Sequence, residues 1–490
     1  MAVPDSTDFL EDQIRAAALD LYHSSSLKRH IPASRVLQHA QQIRLGIPDS
    51  RSAHTSEIRR VDSVPNLAWV CCIRGTHHSF VIGPQVEAAE GFVFEGAWDG
   101  DYGQGQIHRT DYAFGSGARL GRYVVFVPPK HCWEYLYVLT DKRDNRVIVS
   151  NSATFALTHA GLRPDSRFVR QGFEVLRPST NTATAAGFDR YDPVVASDEE
   201  YTFSRMMFHN FVVHDGKVQL APTASSVQFS DYSHYREFLS GCIQRLAENA
   251  SDARRRTTFT PITPLSSGYD STATAVLASE LGYRDAVTQD LTIRGTFDSG
   301  QRTGATLGMN VEVRHHLLGT EPVQRMGVRV ADGGEVDLYG EFLATPGLGD
   351  DVMLATMESA LQGRMVLNGA MGDALWRRRS VQAPGLPVSV PYGKSVTEFR
   401  LRTGWVFVPV PALGARSPRS IQRITRDPEM HAWTLHGPYD RPIPRRIAEE
   451  AGVQRGSFAT GKAAVNPTVE ASPGMVMESV AYVAERYALG

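Results

Sequence analysis

Cysteine is scarce in this sequence. The chain has four cysteines and no CxxC pair, and so few irregularly spaced thiols exclude a disulfide framework. Cys71 and Cys72 are adjacent, and neighbouring residues of a strand point to opposite faces, which makes them poor joint ligands for zinc. We therefore expect Cys71, Cys72, Cys132 and Cys242 to be buried structural thiols in a reducing cytoplasm.

Long apolar runs are also missing. No stretch approaches about 18 uninterrupted apolar residues, the length that a membrane-spanning helix needs. Residues 1–26 lack the apolar core of a secretory signal. They instead carry Leu10, Ile14, Ala17 and Leu21 at helical spacing, which predicts an amphipathic helix. We expect a cytoplasmic protein with no membrane partner.

Neither sign of charge is in excess. The 51 basic and 53 acidic residues leave a formal net charge of -2, which gives no global electrostatic reason to expect nucleic acid as a partner. Only six of the basic residues are lysines, and a composition rich in arginine and alanine is typical of a GC-rich bacterial genome. The hydrophobic fraction of 42% excludes a mostly disordered chain.

The 490 residues are too many for one ordinary core, so we expect two large domains. Residues 60 to about 225 carry short runs of aromatic and β-branched residues separated by Gly, Pro, Asp and Asn, a pattern that predicts strands. Asp215-Gly216 is predicted to be a hairpin turn. Residues 1–230 are therefore predicted to form a β-rich N-terminal domain (α+β).

The pattern changes near residue 230. Apolar residues from Tyr235 to Leu246 fall on one face at helical spacing, and strands and helices then alternate. Such alternation predicts a parallel sheet covered on both faces. Residues 231–490 are therefore predicted to form an α/β domain whose C-terminal part, from about residue 396, is mostly helical.

Two details of this half bear on its strands and helices. Pro261 and Pro264 lie in the first predicted strand, which is awkward for a central position in a sheet. Asp298, with Gln301 three residues further on, resembles a capping box that opens a helix.

Two loops of this domain follow predicted strands and carry carboxylates. Ligands of an open parallel sheet bind beyond the carboxyl ends of its strands, where helix N-termini supply N–H groups. The first loop, Ser266–Ser271, has small residues and hydroxyl donors that suit an anion. Its Asp270 would repel a bare phosphate, so we interpret Asp270 as a ligand of Mg²⁺ that bridges phosphate oxygens. The second loop, Gly369–Asp373, follows another predicted strand and places Asp373 where it could complete the same metal site. An ordinary strand-to-helix turn is the alternative for each loop.

These loops resemble those of a known family. PLSSGYDSTATAVLA resembles the pyrophosphate-binding loop of the ATP pyrophosphatase (PP-loop) superfamily, in the form typical of asparagine synthetase-like proteins, with Ser267 where Gly is usual. NGAMGDALW is similar to the family's second acidic loop, with Ala374 where a further acidic residue is usual. YDRPIPRRIAEEAGVQRGSFATGKAAV resembles the C-terminal segment, with Lys462 where the family has a lysine that faces the reacting phosphates. The resemblance covers roughly residues 230–470.

The resemblance implies a PP-loop ATPase domain that uses ATP and Mg²⁺. Such a domain adenylates a carboxylate, releases pyrophosphate and joins the acyl group to an amine, so the expected activity is that of an AMP-forming carbon–nitrogen ligase. The expected partners are a small-molecule carboxylate and a small-molecule amine, and a homodimer is left open. Asp270 and Asp373 are implied as metal ligands, and these two residues with Lys462 as catalytic residues. The implied ATP-binding residues are Ser266, Ser267, Gly268, Tyr269, Asp270, Ser271 and Gly372.

Other functions stay open at this point. One is a PP-loop enzyme that modifies RNA or a nucleobase, although the missing CxxC and the balanced charge count against it. Another is a non-catalytic sensor or scaffold that binds ATP without forming AMP. Residues Gly456–Lys462 nearly match the Walker A motif of P-loop proteins. The match is incomplete, because no Ser or Thr follows the lysine and no clear strand precedes the loop.

The N-terminal half lacks a feature of the glutamine-dependent members of the family. Those enzymes carry a glutaminase domain whose nucleophile is a cysteine at the first position after removal of the initiator Met. Such an amidase needs a thiolate with its own α-amine as base, and residue 2 here is Ala. We therefore expect that the protein does not use glutamine. The β-rich half is either a degenerate relative of that glutaminase or an unrelated domain.

Overall fold

The computed structural model describes residues 55–121, 123–176, 193–221, 227–290, 298–314, 328–329, 335–336, 338–345, 352–378, 396–435, 437, 439–457 and 472–488. The predicted helix around Leu10 and the predicted catalytic Lys462 lie outside these residues. The described part has a β-rich N-terminal half and a parallel sheet in the C-terminal half, as the sequence predicts. Within it, no helix is long and apolar enough to cross a membrane.

The N-terminal half is built mostly from strands. They are β1 (Thr55–Arg60), β2 (Trp69–Arg74), β3 (His77–Ile82), β4 (Glu87–Ala89), β5 (Phe92–Trp98), β6 (Ala113–Arg119), β7 (Val125–Val127), β8 (Leu136–Asp141), β9 (Arg146–Ser150), β10 (Val194–Ser197), β11 (Tyr201–Met206), β12 (Asn210–His214) and β13 (Lys217–Ala221). Helices α1 (Ala153–His159) and α2 (Arg167–Val175) lie among them. Over the described ranges the strands form a seven-stranded sheet, β1-β3-β2-β9-β8-β11-β10, and a six-stranded sheet, β13-β12-β7-β6-β5-β4.

Apolar side chains pack the two sheets against each other. Trp69 of β2 stacks on Phe126 of β7 with ring centroids 6.5 Å apart, and both side chains are buried in one cluster. The Asp215-Gly216 turn joins β12 to β13 as predicted, with both residues at positive φ. Positive φ at both central positions is what a two-residue hairpin of this kind requires.

The four cysteines are free thiols, as expected. Cys71, Cys132 and Cys242 are buried, but Cys72 is only half-buried, so the prediction of burial is wrong at that position. Cys71 points into the core between the sheets, whereas its neighbour in the strand points to the opposite face. Burial raises the pKa of Cys132 and of Cys242 to about 12, which keeps both thiols neutral at ordinary pH.

The C-terminal half alternates strands and helices. Its strands are β14 (Thr260–Pro264), β15 (Asp285–Gln289), β16 (Asn310–Arg314), β17 (Val328–Arg329), β18 (Glu335–Val336), β19 (Arg364–Asn368) and β20 (Val406–Pro409). Its helices are α3 (Tyr232–Ala250), α4 (Tyr269–Glu280), α5 (Gln301–Thr306), α6 (Leu338–Leu343), α7 (Glu358–Leu361), α8 (Gly372–Leu375), α9 (Thr397–Thr403), α10 (Pro418–Ile424), α11 (Pro442–Glu450) and α12 (Pro473–Glu485). In the described part, five strands form a parallel sheet in the order β16-β15-β14-β19-β20.

The strand order of this parallel sheet creates a crevice between β14 and β19. From β14 the chain moves outward to β15 and β16, and it later enters the other side of the sheet through β19 and β20. Ligands of open α/β sheets bind at such a switch point, beyond the carboxyl ends of the strands. Ser266–Ser271 follow β14 and Gly369–Asp373 follow β19, so both predicted loops lie at this crevice.

Strand β14 lies in the centre of the sheet although it contains Pro261 and Pro264, two residues that are unfavourable in a central strand. The N–H of Thr260 points toward β19 and that of Leu265 toward β15, so the intervening residues alternate between the two sides. Pro261 thus faces β15, whose pairing begins only at Thr263, and Pro264 faces β19, whose pairing ends at Ile262. Each proline therefore occupies a position where no ladder hydrogen bond is required.

The two halves of the chain share one buried core. Trp133 and Phe407 pack edge to face with ring centroids 5.9 Å apart. Arg400 of α9 lies in the same region, with Nη1 2.8 Å from Glu95 Oε2, and its Nε donates to Glu134. None of these three charged side chains is more than 2% exposed. The halves are thus joined by apolar packing and by a buried ion network.

Candidate functional site

The loop after β14 is closed by hydrogen bonds among its small residues. The Ser266 and Ser271 hydroxyl oxygens lie 2.9 Å apart. The Gly268 N–H donates to Ser266 Oγ at 3.2 Å, and Ser271 Oγ donates to the Gly268 carbonyl at 3.0 Å. Helix α4 begins directly afterwards at Tyr269, with Asp270 in its first turn. The loop therefore presents the N-terminus of a 12-residue helix to the crevice.

Asp298 holds this loop from the side. Its Oδ1 accepts a hydrogen bond from the Ser267 N–H at 3.1 Å and another from the Ser267 hydroxyl. Ser267 therefore uses its side chain to bind a neighbouring carboxylate. The capping-box prediction for Asp298 is wrong, because α5 begins after Gly300 without a side-chain cap and Asp298 faces Ser267 instead.

The loop after β19 approaches Asp270 too closely for any side chain at two of its positions. A Cβ at Gly372 would lie 2.3 Å from Asp270 Cγ, and one at Gly369 would lie 2.4 Å from the Asp270 carbonyl carbon. Between these glycines Met371 adopts a left-handed φ of 70°, a conformation that costs a non-glycine residue of order 1–3 kcal/mol. The contact between the loops therefore fixes the start of α8, where Asp373 lies in the first turn.

The two loops line a cavity of about 280 Å³. Of the residues predicted from the sequence, Ser266, Gly268, Asp270, Ser271 and Asp373 line it. The Tyr269 side chain is instead buried, and its hydroxyl accepts a hydrogen bond from Arg445. Ser267 and Gly372 shape the loops without lining the cavity, and the role of Lys462 stays a prediction.

Arg441, which directly precedes α11, forms an ion pair in this cavity. Its Nη1 donates to Asp270 Oδ2, and its guanidinium lies 4.5 Å from the centre of the Tyr439 ring. Burial opposes the charged form, but Asp270 and Asp373 outweigh it, with the net result that the pKa of Arg441 is raised. For the neighbouring Tyr439 hydroxyl, burial raises the pKa to about 12. At ordinary pH the cavity therefore contains a permanent cation beside two aspartates.

The donor set fits a magnesium ion that is shared with a phosphate substrate. In the described ranges, no group of three or more His, Cys, Asp or Glu side chains is placed to hold a metal ion. Mg²⁺ is commonly bound by one or two carboxylates together with substrate phosphates, not by a cage of protein ligands. Asp270 and Asp373, which line one cavity beside a hydroxyl-rich loop at a helix N-terminus, match that arrangement.

Several residues of the cavity were not singled out by the sequence. Gln289 and Asn368 are the last residues of β15 and β19, so a search for polar residues at the carboxyl ends of strands would have found them. Arg441 and Tyr439 come from a distant part of the chain and carry no local signal. They do lie within the C-terminal segment in which the sequence predicts Lys462 as a site residue.

Comparison with known proteins adds no family to these observations: a scan against models of protein families finds none that matches this chain, and a search of curated proteins finds no match. The fold and the site define an α/β domain with an acidic crevice at a switch point of its parallel sheet.

Proposed function

We propose that the protein is a Mg²⁺-ATP-dependent ligase that adenylates a carboxylate, releases pyrophosphate and joins the acyl group to an amine. The observation that carries the proposal is that the loops after β14 and β19 place Asp270 and Asp373 in one cavity with the hydroxyl-rich turn Ser266–Ser271. Resemblance of both loops to those of asparagine synthetase-like proteins supports the same function.

The chemistry assigned to each group follows from its position. The small loop and the N-terminus of α4 would bind the pyrophosphate portion of ATP. Asp270 and Asp373 would hold Mg²⁺, which supplies charge neutralisation at the phosphates when bound. Arg441 lies within the same cavity and would add a guanidinium to the phosphate oxygens. Such a set favours attack on the α-phosphate with pyrophosphate as the leaving group.

The amine in this proposal enters the site directly and does not come from glutamine. A glutaminase of the family's type needs a reactive thiolate. Among the described residues, the three buried thiols Cys71, Cys132 and Cys242 have a raised pKa because burial disfavours the thiolate. The half-buried Cys72 thiol also has a raised pKa, for the same reason. A substrate amine is therefore the nucleophile that the proposal assigns.

We expect pyrophosphate to bind in the presence of Mg²⁺ and to compete with ATP, because both would use the Ser266–Ser271 turn and the two aspartates. Calorimetric titration of the full chain with pyrophosphate, with and without Mg²⁺, measures this directly. Filter binding with bulk tRNA serves as the comparison. Retention of tRNA together with weak, Mg²⁺-independent pyrophosphate binding would favour an RNA-modifying enzyme and contradict the ligase. ATP binding without AMP formation would favour a sensor or scaffold.

A further inference from the structure

We propose that Arg441 and Mg²⁺ compete for the Asp270 carboxylate, so that Arg441 takes the place of the metal until nucleotide phosphates draw it away. This inference rests on the proposed function, because it assumes that Asp270 is a metal ligand. It gives a role in switching to Arg441, a residue for which the resemblance implies no function.

The ion pair occupies one of the two carboxylate oxygens that Asp270 could offer a metal. Arg441 Nη1 donates to Asp270 Oδ2, and the two side chains are only 5% and 19% exposed. A guanidinium and a divalent cation on one carboxylate would repel each other, and burial of the side chains reduces the screening of that repulsion by solvent. Binding of a metal alone therefore requires Arg441 to leave Asp270.

Arg441 has donor capacity that a bound phosphate could use. Its Nε is buried, and no acceptor for it is found among the described residues. The residues that line the cavity include the acidic Asp270, Asp298 and Asp373, and Arg441 is the basic member of that lining within the described part of the chain. A phosphate that enters this cavity would thus find in Arg441 a planar donor whose geometry matches phosphate oxygens.

The consequence is a coupling between metal and phosphate binding. Phosphate attracts Arg441 and releases Asp270, so metal and phosphate should each bind more tightly when the other is present. Metal binding in the absence of phosphate should be weak, which would keep the empty site from being filled by metal alone.

Substitution of Arg441 by Met or by Gln tests the competition. Mn²⁺, used as a paramagnetic substitute for Mg²⁺, is titrated against the full chain without nucleotide, and free Mn²⁺ is measured by electron paramagnetic resonance. Arg441→Met and Arg441→Gln should each bind Mn²⁺ roughly tenfold more tightly than the unmodified protein, or better. Arg441→Lys, which keeps the charge, should bind Mn²⁺ close to the unmodified level.

A matched control comes from helix α11, which directly follows Arg441. Arg446 pairs with Glu429 and Glu450 at 2.8 Å each, away from Asp270, so Arg446→Met should leave Mn²⁺ affinity unchanged. Mn²⁺ affinity that is unaltered or weaker in both neutral Arg441 variants would overturn the competition. If Asp373→Asn weakens Mn²⁺ binding in that case, the metal site of the proposed function stands without the switch. Absence of Mn²⁺ binding in every variant, with and without pyrophosphate, would overturn both.

Discussion

Replacing Asp373 by Asn is expected to lower the rate of AMP formation by roughly 10³-fold or more, and Asp270→Asn should have a similar effect. Each substitution removes one negative charge from the pair that would hold Mg²⁺ against the phosphates, while the side-chain volume stays almost the same. Asp373→Asn is the cleaner variant, because Asp270 also binds Arg441.

The measurement is the initial rate of AMP release under saturating Mg²⁺-ATP, with thermal unfolding as a check that the variants fold. Asp285→Asn is the matched control. Asp285 begins β15 at the amino edge of the same sheet, with Oδ2 2.8 Å from Arg364, so the loss of its charge should leave the rate unchanged. A rate for Asp373→Asn within tenfold of the unmodified protein would remove that residue from the catalytic site.

Replacing Arg400 by Met is expected to lower the free energy of unfolding by about 3–5 kcal/mol. The substitution leaves Glu95 and Glu134 buried without the cation that contacts both of them. Burial raises the pKa of Glu134 despite the opposing effect of Arg400, so the charged carboxylate is disfavoured at this position even with its partner present. The loss should also loosen the contact between the two halves, because Arg400 belongs to the C-terminal half and both glutamates to the N-terminal half.

Urea unfolding monitored by tryptophan fluorescence measures this change. Combining Arg400→Met with Glu95→Gln and Glu134→Gln should recover part of the stability, because no unpaired charge then stays buried. Arg163→Met is the surface control: its pair with Asp165 is 81% and 60% exposed, and such pairs contribute at most about 1 kcal/mol. An equal effect of Arg400→Met and Arg163→Met would contradict a structural role for the buried network.

The parts of the site that could be predicted from the sequence are those with a local pattern. Ser266–Ser271 and Gly369–Asp373 are each a continuous stretch that follows a strand, so the alternation of strands and helices was enough to place both at the carboxyl edge of a parallel sheet. The order of the strands in the sheet could not be predicted from local patterns, because none of them indicates on which side of β14 the strand β19 pairs.

The site contacts that the sequence did not predict join residues that are far apart in the chain. Arg441 and Asp270 are 171 positions apart in the chain, and neither residue's neighbours indicate the pairing. The prediction for Asp298 failed for a different reason: a local sequence pattern assigned this side chain to the N-terminus of helix α5. The capping box spans four residues, here 298–301, yet the Ser267 hydroxyl, 31 positions away, is the group that binds Asp298.

The nucleotide products of the reaction test the proposed function most directly. The full chain is incubated with Mg²⁺-ATP and a mixture of small carboxylic acids and amines, and the products are separated by anion exchange, with Asp373→Asn as the blank. The proposal predicts AMP and pyrophosphate in equal amounts, because a loop that binds pyrophosphate makes it the leaving group. ADP and inorganic phosphate as the products would contradict it.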